Sequence, residues 1–336
     1  MHQAILYKKL SNNKVHCYLC NHQCLIDEQQ FGFCGVRQNI NGDLFTHTYG
    51  KLIAEHDDPV EKKPLFHFLP GSLSHSVAAP GCNFRCGFCQ NWQISQISST
   101  RSSLHNNFIQ DTQPAQIVQN ALTAGAKSIS CTYTEPTIFF EYALDIIKEA
   151  KLNNLKTIFV TNGYMSTQAI DIIKDRLDAC NVDLKSYSDE FYKTNCQAKL
   201  KPVLKSIEKL KNEGIWVEIS TLIIPGQNDT EDEFKKIAEF IAGIAPDIPW
   251  HISRFFPQYQ FSSYKPTPVS TIEKAAEAGE QAGLHYIYPG NISGMVNTKC
   301  INCGQILIER DGYRVLKNRI SAGACVNCGA SISGVW

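Results

Sequence analysis

From about residue 76 the chain alternates short β-branched apolar runs with amphipathic stretches, and that rhythm confines it to repeated βα units around a parallel sheet. The expected strands are HSVAAP (75–80), SISCTY (128–133), KTIFVT (156–161), ACNVDL (179–184), WVEISTLII (216–224) and PWHIS (249–253). Helical periodicity lies between and after them, at 113–124, 137–152, 166–177, 201–212, 230–242 and 271–282. Gly125, Gly214, Gly243 and Gly283 stand just past four of these stretches, where a C-terminal cap is expected. Thr230 with Glu233 three residues on has the pattern of a capping box. Six such units favour an α/β fold built as a full or partial (β/α) barrel. In either a barrel or an open sheet, the loops after the strand C-terminal ends should carry the chemistry.

The motifs fall in those loops. GCNFRCGFC follows the first strand, TEP the second, TNG the third, DLK the fourth and IPG the fifth, while His251 lies in the sixth. One site can therefore collect residues from the whole sheet. In the first loop Cys82, Cys86 and Cys89 have three and then two residues between them, and no fourth cysteine follows within reach. Three thiolates on one loop can hold three irons of a cubane cluster and leave the fourth iron open to a ligand. A zinc site built only for stability would close all four positions. Structural zinc with a remote fourth ligand, or buried thiols without metal, are the plainer alternatives. Asp183 and Lys185 alternate at a strand end, so both side chains point to one face, where opposite charges are costly unless used.

Lys plus Arg equals Asp plus Glu at 32 each, so composition supplies no long-range field favouring nucleic acid or an anionic membrane. The longest apolar runs fall far short of the roughly 20 residues of a membrane helix. The N-terminus lacks a signal-peptide pattern, which makes a cytoplasmic location the expectation. Fourteen cysteines in such a chain point to metal ligation rather than disulfides. Besides the triplet they form two sets of four, Cys17, Cys20, Cys24 and Cys34, and Cys300, Cys303, Cys325 and Cys328. The chain divides accordingly into a cysteine-rich metal-binding segment (1–70) ending in a proline-rich connector, a core (71–296), and a small zinc-ribbon-like module (297–336). For the C-terminal set zinc is expected, with a single rubredoxin-like iron as the alternative. For the N-terminal set zinc is the first reading and an auxiliary iron–sulfur cluster the sharper one. Cys131, Cys180 and Cys196 remain as singles, for which ordinary packing is expected, with a radical-quenching or substrate role as the alternative for Cys196, which follows the DLK strand near the presumed mouth.

The CxxxCxxC spacing, with aromatic Phe88 before the last cysteine, resembles the radical S-adenosylmethionine (SAM) superfamily. The resemblance implies a [4Fe–4S] cluster on Cys82, Cys86 and Cys89 whose open iron binds SAM, and reductive cleavage of SAM to a 5′-deoxyadenosyl radical. It also implies that Phe88, Glu135 and the backbone near Thr134 belong to the SAM site, Glu135 by binding the amino group. By the same resemblance Asp183 and Lys185 grip the polar end of SAM and His251 approaches its ribose or adenine. A helix-starting glutamate, a surface ion pair and a core histidine are the respective alternatives. Val160, just before TNG, stands where the glycyl-radical-enzyme activases, the nearest branch, place an acidic residue. Over the whole chain the ordered motifs CxLCxHxC, FGFCGVR, EKKPLFHF, GCNFRCGFCQNWQIS, YTEPTIFFEY, TLIIPGQND, PWHISRF and SGVW are similar to the radical-SAM enzyme of the AmmeMemoRadiSam system. That similarity implies AMMECR1-domain and Memo-like proteins as partners, with an electron donor such as flavodoxin or ferredoxin. The expected function is hydrogen abstraction from an unidentified substrate. A glycyl-radical-enzyme activase and a non-catalytic iron–sulfur and zinc scaffold are the alternatives.

Overall fold

In the computed structural model, which describes residues 1–96, 109–292 and 294–336, all six expected strands form and lie in one eight-stranded sheet. Its strands are Ala54–Pro59 (β1), Leu73–Ala78 (β2), Ser128–Cys131 (β3), Lys156–Thr161 (β4), Ala179–Asp183 (β5), Trp216–Ile223 (β6), Trp250–Arg254 (β7) and Ile287–Gly290 (β8). Strands β2 to β8 are parallel and follow chain order across the sheet, and β1 pairs antiparallel with β2 at the edge. An order without reversal, joined by right-handed crossovers, places every connecting helix on one face. A doubly wound sheet would instead reverse its strand order and carry helices on both faces. The edge strands β1 and β8 are not paired with each other.

The longer helices are Pro114–Thr123 (α1), Phe140–Leu152 (α2), Thr167–Ile173 (α3), Leu200–Asn212 (α4), Glu231–Ile244 (α5) and Val269–Gln281 (α6). Ile117 and Ala121 of α1 and Ile237 and Ile241 of α5 share a buried core with Phe159, Val182, Ile219 and Ile252 from the strands. The chain enters α2 through a 3-10 turn, Pro136–Phe139, because proline at the first position suits a tight helical start. The expected cap at Gly243 is a correction: α5 runs through it and stops at Ala245, which Pro246 forces into an extended conformation. Half of the capping box forms. The Thr230 hydroxyl accepts from Glu233 N at 3.2 Å, but the Glu233 carboxylate turns instead to Ser186 Oγ and Tyr187 N.

The opposite face of the sheet is filled near its N-terminal edge by the connector. Val60, Leu65 and Phe68 pack on Ile158 and Ala179, and Asn181 Nδ2 donates to Pro64 O at 2.8 Å. Buried Glu218 on β6 accepts from Phe66 N at 2.9 Å, His67 N at 2.8 Å and Trp216 Nε1 at 3.0 Å. The C-terminal tail locks the connector in place, with Leu69 N to Val335 O and Val335 N to His67 O both 2.7 Å. Residues 54–69 thus join the core sheet and its lining. The inner face stays available at the C-terminal edge, where the motif loops gather.

Candidate functional site

The loop after β2 carries Cys82, Cys86 and Cys89, and it is held in shape by its neighbours. The Arg85 guanidinium donates to Cys82 O at 2.8 Å, to Phe84 O at 2.9 Å and to Phe33 O. Arg85 N and Gly87 N donate to Cys196 O at 2.9 Å and Asn195 O at 3.2 Å, which ties the loop to the π-helical turn Tyr192–Cys196. A side chain at Gly87 would meet Phe261 Cε1 at 2.8 Å, so the tight approach requires glycine.

Donors surround the sulfurs. Phe84 N lies 3.3 Å and Asn162 Nδ2 3.8 Å from Cys82 Sγ, and Ser95 Oγ lies 3.1 Å from Cys89 Sγ. The Cys196 thiol, fully buried, hydrogen-bonds Cys86; that bond and then burial push the Cys86 thiol well above its usual range. Burial, with Glu135 nearby, does the same to Cys82. Thiols in such surroundings ionise when a metal takes the proton's place. Amide and hydroxyl donors at two of the three sulfurs, Cys82 and Cys89, suit a thiolate-held cluster. Two sulfurs in hydrogen-bond contact, as in Cys86 and Cys196, are too close to bind separate corners of a cubane, so Cys196 is a neighbour of a ligand and not its counterpart.

The loops after the next strands close over this one. The Thr134 hydroxyl donates to Ala79 O at 2.7 Å, and Asn162 Nδ2 donates to Asn83 Oδ1 at 2.7 Å. Gly163 beside it has φ +70°, and a side chain there would meet Val182 Cγ1 at 2.9 Å. Lys185 Nζ bonds Asp183 Oδ2 at 3.0 Å and stands 5.7 Å from the centre of the Phe88 ring. Burial opposes the lysine's charge, but Asp183, Cys86 and Cys196 outweigh it and hold its pKa well above the ordinary value.

Three expected residues sit differently from the resemblance. Glu135 is buried, and its carboxylate accepts from Thr137 N at 3.0 Å, the Thr137 hydroxyl, Thr161 Oγ1 at 2.7 Å and Asn162 N at 2.8 Å. Three of these donors share Oε1 and Asn162 N alone meets Oε2, so the carboxylate anchors the turns after β3 and β4. Phe88 is buried between Phe191 and Phe261, at ring separations of 5.8 and 5.7 Å, and acts as a floor beneath Lys185. His251 is in register with Asp183 through Ser220, yet its Nε2 turns away to Glu218 Oε2 at 2.7 Å and its ring stacks on Tyr288. Asn162 and Ser95 are the site residues that reasoning on the sequence missed. The TNG motif carried a signal for Asn162, whereas Ser95 had none; Cys196, expected near the mouth, lies against Cys86.

The flanking sets differ in geometry. Among the described residues, Cys300, Cys303, Cys325 and Cys328 form the group whose ligand atoms all lie within 4.8 Å of one another. Cys300 to Cys328 is 3.6 Å and Cys303 to Cys325 is 3.8 Å, matching the roughly 3.8 Å between thiolates on one tetrahedral ion. Asn302 and the Ala330 amide hold the Cys328 thiol down at about 6. The N-terminal four line a common cavity with Arg37 but are not drawn together in this way.

Residues 76–241 match the model of the radical SAM superfamily. The chain is 40% identical over 99% of both chains to the uncharacterized protein MJ0808 of Methanocaldococcus jannaschii. It is 21% identical to the pyruvate formate-lyase 1-activating enzyme of Escherichia coli, covering 60% of this chain and 87% of that one. Its fold is similar to that of a radical SAM methyltransferase from Sphaerobacter thermophilus, with a TM-score of 0.52 and 15% identity over 67% of this chain and 68% of the other. No helix among the described residues is long and apolar enough to cross a membrane. With the open cysteine triplet at the C-terminal edge of a singly wound parallel sheet, these similarities establish that the chain belongs to the radical SAM superfamily, related to the pyruvate formate-lyase activating enzymes.

Proposed function

We propose that Cys82, Cys86 and Cys89 hold a [4Fe–4S] cluster, that SAM binds at its open iron, and that the protein abstracts hydrogen from a substrate. The observation that carries this reading is the convergence of the loops after β4 and β5 on the triplet, Asn162 on Cys82 and Lys185 beside Cys86, with Ser95 of the triplet's own loop on Cys89. When bound, the cluster supplies one electron that cleaves SAM to methionine and a 5′-deoxyadenosyl radical. Asp183, the more open partner of its ion pair, accepts from the SAM ammonium in the role first expected of Glu135, and Lys185 offers its remaining donors to the carboxylate. Asn162 and Ser95 orient the sulfurs, and Phe88 keeps water from beneath. The sheet serves as a partial barrel whose mouth is the site. The C-terminal module holds zinc and staples the connector. Protein reconstituted anaerobically, reduced and given SAM should release 5′-deoxyadenosine, and a Cys82→Ala/Cys86→Ala/Cys89→Ala variant should release none. Wild-type protein that binds iron but neither binds SAM nor forms 5′-deoxyadenosine would favour the scaffold reading.

Similarity to an activating enzyme supports a second reading, in which the substrate is a backbone glycine of a partner protein. Electron paramagnetic resonance after incubation with candidate partners would then show a glycyl radical. We take AMMECR1-domain and Memo-like proteins in the cytoplasm as the first candidate partners and flavodoxin or ferredoxin as the electron source. Co-purification of the tagged protein tests both.

A further inference from the structure

We propose that Cys17, Cys20, Cys24 and Cys34 hold a second [4Fe–4S] cluster, closed by four thiolates. All four line one cavity together with Arg37, Phe33 and Ile138, so they already converge on a common ligand. A single zinc at about 2.3 Å per bond draws its thiolates to roughly 3.8 Å of each other, as the C-terminal set shows. The N-terminal four do not form such a group. In this they resemble the Cys82 triplet, and a cubane, with one thiolate on each iron at a separate corner, requires that wider spread.

The cavity wall is furnished for the same ligand. Phe33 N points at Cys24 Sγ at 3.5 Å, the backbone at His22 donates to Cys20, and the backbone at Val36 and Arg37 donates to Cys34. Arg37 is 2% exposed, and its Nε and Nη1 have no partner. Its Nη2 is fixed by Glu141 Oε1 and by Ile5 O at 2.9 Å, which leaves the other two donors of a residue lining the cysteine cavity without a partner. Unpaired buried donors are costly. The sulfides of a cluster, which a bare zinc ion lacks, would satisfy them.

The position gives this cluster a use. His22, between Cys20 and Cys24, donates from Nε2 to Asn83 O at 2.6 Å, and Asn83 adjoins Cys82. The Arg85 guanidinium lies 4.7 Å from the Phe33 ring and bonds Phe33 O. One hydrogen bond thus separates the two cysteine loops, and the second cluster relays electrons: a soluble one-electron carrier reduces it, and it reduces the Cys82 cluster, with no bond made or broken. The relay rests on the proposed role of the triplet, whereas the second cluster itself does not.

Metal and sulfide analysis of the anaerobically reconstituted full chain tests the assignment. Wild type should carry about eight irons and about one zinc per chain, and the Cys82→Ala/Cys86→Ala/Cys89→Ala variant about four irons with a reduced-cluster resonance insensitive to SAM. A Cys20→Ser/Cys24→Ser variant should lose that half of the iron and keep the SAM-sensitive signal. About four irons and two zincs in wild type, or a triplet variant devoid of sulfide, would overturn the second cluster whether or not the serine variant folds. Iron retained in the triplet variant without any SAM-sensitive signal in wild type would defeat the triplet reading and leave this one standing. Spin–spin broadening in the fully reduced wild type is expected from the relay, and two independent spectra would refute it.

Discussion

Cys86 and Lys185 show how little of a residue's role lies in its immediate sequence. The triplet was legible because cluster ligation is a spacing rule within one loop. Cys196, 110 positions beyond Cys86, meets it through the π-helical turn, and once Cys86 is a metal-bound thiolate the Cys196 thiol is placed to donate to its sulfur. Donors to a ligand sulfur stabilise the reduced cluster. A Cys196→Ala variant should therefore have a lower midpoint potential in a redox titration followed by paramagnetic resonance; an unmoved potential would leave Cys196 a packing residue. Asp183→Asn removes the charge that holds Lys185 in place and weakens SAM binding about tenfold by calorimetry, with iron content unchanged. The partners of Glu135 could not be read from its own segment, because two of its four donors, Thr161 and Asn162, arrive from the end of the next strand.

At the level of elements, the parallel strands buried on both faces announced themselves as continuous apolar runs. The two edge strands did not. β1 is the polar run AEHDDP, and β8 contains Pro289, which only an edge tolerates. Helix α5 couples fold to site, since its first turn fixes the loop after β5 through Glu233. Thr230→Ala should cost about 1 kcal/mol in denaturant unfolding, the usual loss of an N-cap. Glu233→Ala should cost about 2 kcal/mol, because it strands the buried Ser186 hydroxyl and the Tyr187 amide. It should also weaken SAM binding, which Thr230→Ala leaves intact.

Across the whole molecule the connector, the inner face of the sheet and the C-terminal tail meet at His67. Its Nδ1 donates to Ser333 O at 2.7 Å, and its Nε2 takes up a second proton reluctantly, for burial, aided by Arg310 and His251, outweighs Glu218 and the Ser333 carbonyl and lowers its pKa from 6.5 to about 4. The unfolded chain then takes up a proton that the folded chain refuses, so stability is lost as pH falls from about 6.5 toward about 4. Denaturant titrations should find the protein roughly 2 kcal/mol less stable at pH 5 than at pH 7.5 from this group, and His67→Gln should flatten that slope. Glu218→Ala removes the shared acceptor of two connector amides, Trp216 and His251, and should destabilise by roughly 3 kcal/mol or more.

The sequence alone determined the βα alternation, the open triplet and the four-cysteine knuckles, because periodicity and ligand spacing act within one turn or one loop. Tertiary structure alone decided that residues 60–69 line the sheet, that Glu135 meets donors from the next strand, and that His22 lies against Asn83. It also decided which cysteine sets are tight and which are spread. Those outcomes are distances between residues far apart in the chain, and only the packing of the sheet against its connector and flanking segments sets them.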